Sequence, residues 1–396
     1  MQYSRYLSQP TRAAQAYDPP GAWMPPLPPG VIRLSAGFPF PAAVPGQELA
    51  RAMAAVLDAE GDKPLQYLGS HAMANLPALI ARRMAERAMA LGEAELMITN
   101  GGCQGIDLAA RALLDPGALV AVEAPTYMEA LEIFRNYTPN IISYPVDGAG
   151  LQVEALAADL AARRDRHQPI PKLLYTIPSF QNPTGATMPL ARRQALLALA
   201  EEYDFLILED DAYGELAFGE APTPLKALDT AGRVIYLGSL SKIIAPGIRV
   251  GWIAAATPLI QAFWLYKKDL EAPLTMAATA TYLSQIDLGE RVAKLRPPYR
   301  ERRDLAVAAL HRHMPAGVTW QVPAGGYFLW IHTPGVDTAA LLQQALAAGV
   351  VYVPGKHFFW EPSAGREYLR ISYSYLDPAE VEQGIAIIGR LLDRQR

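Results

Sequence analysis

The sequence predicts an α/β protein: a large domain with a mostly parallel sheet between helices, followed by a smaller α+β domain. Three observations lead there. The chain has 396 residues, long for a single core. Beyond Glu95, short apolar runs alternate with alanine- and leucine-rich stretches of helical period. Past residue 294 that alternation gives way to a charged helix and strands interleaved with helices. The expected division is an extended arm over 1–45, a large domain over 46–294 and a small domain over 295–396.

Taken in order, Asp18 to Pro45 is dense in proline and aromatics, which favours extended backbone over helix. Trp23, Phe38 and Phe40 are costly to leave in water, so the arm is expected to lie against the body or a partner. Gln47–Glu60 and Leu76–Leu91 have the pattern of amphipathic helices, and the polar, Gly-broken stretch from Gln66 to Ser70 between them reads as a loop. The strand candidates begin at Leu96, Leu119, Ile141, Leu173, Phe205 and Val234, each a short apolar run. A charged run, Arg300 to Asp304, reads as the solvated face of a helix just past a break at Pro297-Pro298. Tyr327–Ile331 and Tyr368–Tyr373 read as strands of the smaller domain.

Composition narrows the function. With 51% hydrophobic and 19% charged residues the chain has the balance of a globular protein. A net charge of -4 provides no footprint for nucleic acid or an anionic membrane. The single cysteine, Cys103, excludes an intramolecular disulfide framework and suits a reducing compartment. No run has the length of a signal-peptide core or a membrane span, so a soluble cytoplasmic protein is expected. His311 and His313 stand two apart on a predicted helix and face different ways, so no metal site is expected.

The chemistry centres on Gly238–Trp252. Its Ser239, Ser241 and Lys242 follow the buried run Val234–Leu237, at the strand end where open parallel sheets bind ligands. An amine flanked by two hydroxyls and followed by Arg249 suits an aldehyde-bearing phosphate: the lysine condenses with the aldehyde, and the others hold the phosphate. Four further strand ends bear on that lysine. Gly101-Gly102-Cys103 opens a helix, whose free N–H groups make a phosphate seat. Tyr127 brings a ring that a flat heteroaromatic could stack on. Asn182-Pro183-Thr184-Gly185 is a sharp turn carrying a free amide. Asp210 ends a buried strand, where a carboxylate needs a cation such as a protonated pyridine nitrogen.

In this order, Asn182-Pro183-Thr184-Gly185, Asp210 with Tyr213, and Ser239-Leu240-Ser241-Lys242 with Arg249 resemble the class I/II aminotransferases, pyridoxal 5'-phosphate enzymes of fold type I. Phe180–Gly185 and Glu209–Tyr213 look most like the 2-aminoadipate, kynurenine and aromatic aminotransferase branch. The resemblance implies a mostly parallel seven-stranded sheet in the large domain. It implies transfer of the α-amino group of an L-amino acid to a 2-oxo acid, such as 2-oxoglutarate, by a ping-pong mechanism.

The same resemblance implies roles. Lys242 forms the Schiff base and moves the proton; Asp210 pairs with the ring nitrogen; Asn182 and Tyr213 bond the ring oxygen; Tyr127 stacks on the ring. Ser239, Ser241, Arg249 and the N–H groups of Gly102 and Cys103 hold the phosphate. Arg370 and Asn182 bind the substrate carboxylate, Gly37 lines the substrate entrance, and Tyr67 reaches the site of a partner in a homodimer with active sites at the interface. Relatives have Gly-Ser-Gln-Gln where this chain has Gly101-Gly102-Cys103-Gln104, so a hydroxyl near the phosphate is lost. Two other outcomes share the motifs. One is a different reaction on the same cofactor (β-elimination, cyclisation or O2-dependent oxidation). The other is a non-enzymatic regulator that binds the cofactor, for which the segment before Gly37 is too short and proline-rich to hold a DNA-binding domain.

Overall fold

The computed structural model of the chain describes residues 3–15, 17–19, 21, 26–67, 70–268 and 271–395. Its strands, in chain order, are β1 (Ile32–Arg33), β2 (Leu96–Thr99), β3 (Val120–Ala124), β4 (Ile141–Asp147), β5 (Gly150–Leu151), β6 (Leu173–Thr176) and β7 (Leu206–Asp210). Then come β8 (Val234–Ser239), β9 (Gly251–Ala254), β10 (Thr319–Trp320), β11 (Phe328–His332), β12 (Val350–Val351), β13 (Val353–Pro354) and β14 (Tyr368–Ser372).

The large sheet runs β2-β9-β8-β7-β6-β3-β4-β5. Neighbours from β8 to β4 are parallel, whereas β9 is antiparallel to both β2 and β8. Its centre is apolar on both faces because helices cover both. Alternate residues divide between two cores, as the two-residue period of a strand requires. Leu173 and Tyr175 join the core that includes Ile106, Phe134 and Phe263, while Leu174 joins Leu160, Leu196 and Ala200 on the other face. Each such side chain contributes about 1.5–3 kcal/mol by leaving water.

The sheet has eight strands where seven were expected. The extra one, β5, is a two-residue return pairing Gly150 with Asp147 and Leu151 with Val146. So short a piece leaves no periodic trace in the sequence.

A second, antiparallel sheet runs β10-β11-β14-β13. Leu329, Ile331, Leu369 and Ile371 pack there against Leu310 of the helix Leu288–His313 and Val381, Ile385 and Ile388 of the helix Pro378–Asp393. Pro297 and Pro298 lie inside the first of these helices and do not break it. That helix starts at Leu288, so residue 295, the expected start of the smaller domain, falls within it. The cause is burial: Val292, Leu295 and Tyr299 anchor its first half in one core, Ala306, Ala309 and Leu310 its second half in another. Packing along 26 residues outweighs the two missing N–H donors.

The arm also departs from a purely extended reading, since Tyr3–Tyr6 and Gln9–Ala14 are short helices. Beyond them, β1 pairs with β12, and Phe40 meets Tyr299 edge-on at 5.1 Å. Phe38 remains 43% exposed. Trp23, and Leu68 and Gly69 of the loop before Ser70, lie outside the described residues. The second predicted helix ends at Glu86 instead of Leu91. Among the described residues no helix is long and apolar enough to cross a membrane.

Candidate active site

A cavity of about 320 Å³ opens where β2, β3, β6, β7 and β8 end. Gly37, Gly102, Cys103, Tyr127, Asn182, Asp210, Tyr213, Ser239, Ser241, Lys242, Arg249 and Arg370 all line it. They come from parts of the chain as distant as residues 37 and 370, and the sheet order brings them together. Tyr67 is not among the lining residues; it stands 89% exposed.

Lys242 lies three residues past β8, and its Nζ donates to the Gly37 carbonyl at 2.9 Å. Burial, and then the positive charge of Arg370, push its pKa down to about 8. An amine so poised is deprotonated in a useful fraction near neutrality, which a nucleophile requires. The backbone beneath it is fastened by the Tyr327 hydroxyl, which donates to the Lys242 carbonyl at 2.7 Å.

Asp210 is the last residue of the adjacent strand β7, paired in register with Leu237. Tyr175 on β6 donates to its Oδ2 at 2.7 Å. Burial nevertheless pushes Asp210 up to about 6, with Asp211 adding to the rise. A cation placed against it would be held strongly.

The phosphate seat is built from two directions. Gly101 has φ +84°, a conformation glycine adopts freely, and the helix Gly102–Leu113 begins directly after it. A Cβ on Gly101 would lie 2.4 Å from Arg249 Nη2, whereas one on Gly102 would meet nothing within 4 Å. From the other side Arg249 Nη2 donates to the Asn100 carbonyl at 2.9 Å, and the Ser239 hydroxyl donates to Ser241 Oγ at 2.9 Å. Hydroxyls, a guanidinium and free helical N–H groups thus face one space, the donor set a phosphate dianion needs.

Arg370, on β14, is buried and has no carboxylate partner among the described residues. Nη1 donates to Asn182 Oδ1 at 2.9 Å and Nη2 to the Ser35 carbonyl at 3.0 Å, but Nε has no partner among the described residues. Its carbon stands 4.0 Å above the centroid of the Phe328 ring. Burial lowers this guanidinium to about 10. An orphaned donor on an unpaired buried cation is what an incoming carboxylate would satisfy. The residues therefore fit pyridoxal phosphate at each of its ends: an amine for the aldehyde, a carboxylate for the ring nitrogen and donors for the phosphate.

Four contributors escaped the sequence reading. Tyr175, Tyr327 and Phe328 sat inside runs read only as strands, and Phe328 is revealed only by its contact with Arg370. Glu129 is the fourth. It lies in the first turn of the helix Met128–Arg135, where an acidic residue passes as ordinary helix chemistry. Its Oε2 accepts from the Tyr127 hydroxyl at 2.5 Å and from Cys103 Sγ at 3.0 Å, and it lines the cavity. Burial, and then this carboxylate, push the Cys103 thiol up to about 12, so Cys103 stays protonated and unreactive.

Comparison with known proteins agrees with this geometry. The family model for class I and II aminotransferases matches residues 29–388. The chain is 37% identical to aromatic-amino-acid aminotransferase 1 of Thermococcus litoralis, over 92% of this chain and 88% of that one. It is also 37% identical to the 2-aminoadipate transaminase of Thermus thermophilus, over 92% and 90%. Among solved structures, LysN, the α-aminoadipate aminotransferase of Thermus thermophilus complexed with N-(5'-phosphopyridoxyl)-L-leucine, superimposes with a TM-score of 0.89 at 33% identity, covering 100% of this chain and 99% of that one.

Proposed function

The chain belongs to the class I and II aminotransferases, fold type I enzymes that use pyridoxal phosphate to move an amino group from an amino acid to a 2-oxo acid, and on that premise we propose how its own residues divide the work. The observation that carries the proposal is that the Asp210 carboxylate, at the end of β7, and the Lys242 amine, three residues past the end of the adjacent β8, line one cavity.

Bound there, pyridoxal phosphate supplies an aldehyde that accepts the amino group and a ring that draws electrons from the substrate's α-carbon. Lys242 is the residue that would hold the cofactor, through its Nζ. With its pKa lowered, the same Nζ would serve to carry the proton of the substrate's α-carbon. Asp210 would keep the ring nitrogen protonated, and Tyr175 keeps Asp210 ionised and aimed by donating to it. Tyr127 would stack on the ring, and Asn182 and Tyr213 would hold its oxygen. Gly102, Cys103, Ser239, Ser241 and Arg249 would hold the phosphate. Arg370 takes the α-carboxylate with two parallel hydrogen bonds while Asn182 fixes its plane, and this orients the α-hydrogen toward Lys242. Gly37 forms the entrance.

The reading extends to a cytoplasmic homodimer in which Tyr67 reaches the partner's site. Its support is the surface position of Tyr67, 89% exposed, beside Leu65, 63% exposed. It also divides the chain into an arm over 1–45, a cofactor domain over 46–294 and a small domain over 295–396. Amino-group transfer in amino-acid metabolism is then the reaction. The test is a half-reaction: the holoenzyme mixed with one amino acid and no oxo acid should lose its aldehyde-form absorbance and release one equivalent of 2-oxo acid. Release of ammonia or peroxide instead would overturn transfer in favour of elimination or oxidation.

A further inference from the structure

Among the described residues, five charged side chains line the cavity: Glu129, Asp210, Lys242, Arg249 and Arg370. Under the reading above, four have counterparts. Asp210 meets the ring nitrogen, Lys242 the aldehyde, Arg249 the phosphate and Arg370 the α-carboxylate. Glu129 alone is left over. It takes part in no ion pair with a lysine, arginine or histidine among the described residues, and its two neighbours through Oε2 are a phenol and a thiol.

The helix start explains why a negative charge is tolerated at Glu129 but not why it faces the cavity. One turn further along the same helix, the Gly21 N–H donates to Glu132 at 3.3 Å, so the N-terminal arm passes beside this wall. Glu129 and Arg370 both act on the Lys242 amine, with opposite sign, so the reacting amine lies within the field of both. A substrate held by its α-carboxylate at Arg370 can therefore extend a side chain toward an unpaired carboxylate.

We propose that Glu129 selects the amino donor's side chain, favouring amino acids that end in an ammonium or guanidinium group and disfavouring those that end in a carboxylate. A cation there supplies the missing counter-charge inside a partly dry cavity, where charge-assisted hydrogen bonds are strong. A second carboxylate would meet repulsion, so 2-oxo acids with an uncharged side chain should serve better than 2-oxoglutarate. The proposal rests on Arg370 holding the α-carboxylate.

The test uses ligands that cannot react, titrated calorimetrically into the holoenzyme: 4-guanidinobutanoate, hexanoate and adipate. The expected order is 4-guanidinobutanoate at least tenfold tighter than hexanoate, with adipate weakest. Glu129→Gln, whose amide oxygen still accepts from Tyr127, should erase the preference of 4-guanidinobutanoate over hexanoate. In turnover the same variant should lower kcat/KM for ornithine at least tenfold more than it lowers that for norvaline. Adipate binding as tightly as 4-guanidinobutanoate, or a variant that weakens all three ligands equally, would overturn the proposal. Arg370→Lys separates the two layers: if hexanoate binding ignores it, the assignment of Arg370 fails and this inference with it. If hexanoate depends on Arg370 while the preference ignores Glu129, only this inference falls.

Discussion

Arg370 Nη1 lies 2.9 Å from Asn182 Oδ1, joining a strand of the small sheet to the turn that follows a strand of the large one. The cation is thereby aimed before any substrate arrives, while its Nε is left free. Arg370→Lys keeps the charge but loses the planar fork. It should lower kcat/KM for α-amino acids by about 100-fold, two lost charge-assisted bonds at roughly 1.5 kcal/mol each, with affinity for pyridoxal phosphate nearly unchanged. Steady-state kinetics beside a cofactor titration would check both halves.

Lys242→Ala should bind pyridoxal phosphate without the covalent link and lose turnover. Retained transamination would refute the assignment. In the wild type, the rate of covalent cofactor uptake by the cofactor-free protein should rise with pH through about 8 and then level, because only the neutral amine attacks. Stopped-flow absorbance between pH 6 and 9.5 measures it. A rate that is flat over this range would mean that the amine titrates elsewhere.

Asp210 makes a prediction about stability. Its pKa is raised, by burial first, to about 6, so between the unfolded value near 4 and pH 6 the folded, cofactor-free protein binds more protons than the unfolded chain. Stability attributable to this group therefore falls as pH rises through that window and stays lower above it. Cofactor-free Asp210→Asn should accordingly be more stable than cofactor-free wild type at pH 7, by about 3 kcal/mol, with the difference vanishing below pH 4. With cofactor the order should reverse, since an amide cannot hold the ring nitrogen's charge. Denaturant melts with and without pyridoxal phosphate would show the crossing.

Tyr175→Phe removes the hydroxyl that donates to Asp210. The carboxylate should then titrate at higher pH, and the acidic limb of the kcat profile should move up with it. A purely structural role for Tyr175 would lower activity equally at every pH.

Gly101→Ala places a Cβ where φ is +84° and Arg249 Nη2 is 2.4 Å away. The backbone cost is about 1–2 kcal/mol. The displaced arginine should weaken cofactor binding at least tenfold, read by equilibrium dialysis.

What the sequence determined was local. Strand ends and the residue types standing on them, such as Lys242 after Val234–Leu237 and Asp210 after Phe205–Leu208, are encoded within a few positions, and chemistry that needs a particular side chain at a particular strand end leaves its mark there. The alternation of apolar runs likewise carried the parallel sheet, because a strand buried on both faces has to be apolar throughout.

The tertiary structure decided what depends on neighbours distant in the chain. The helix carrying Pro297 and Pro298 continues because two separate cores hold it, and no window around the prolines contains those cores. Tyr175 became a partner of Asp210 only when β6 was laid beside β7, and Glu129 became a cavity wall only when its helix met the one that begins at Gly102. A hydrogen bond between residues 26 or 35 positions apart is specified by packing, and packing is a sum over the whole fold which no short stretch of sequence contains.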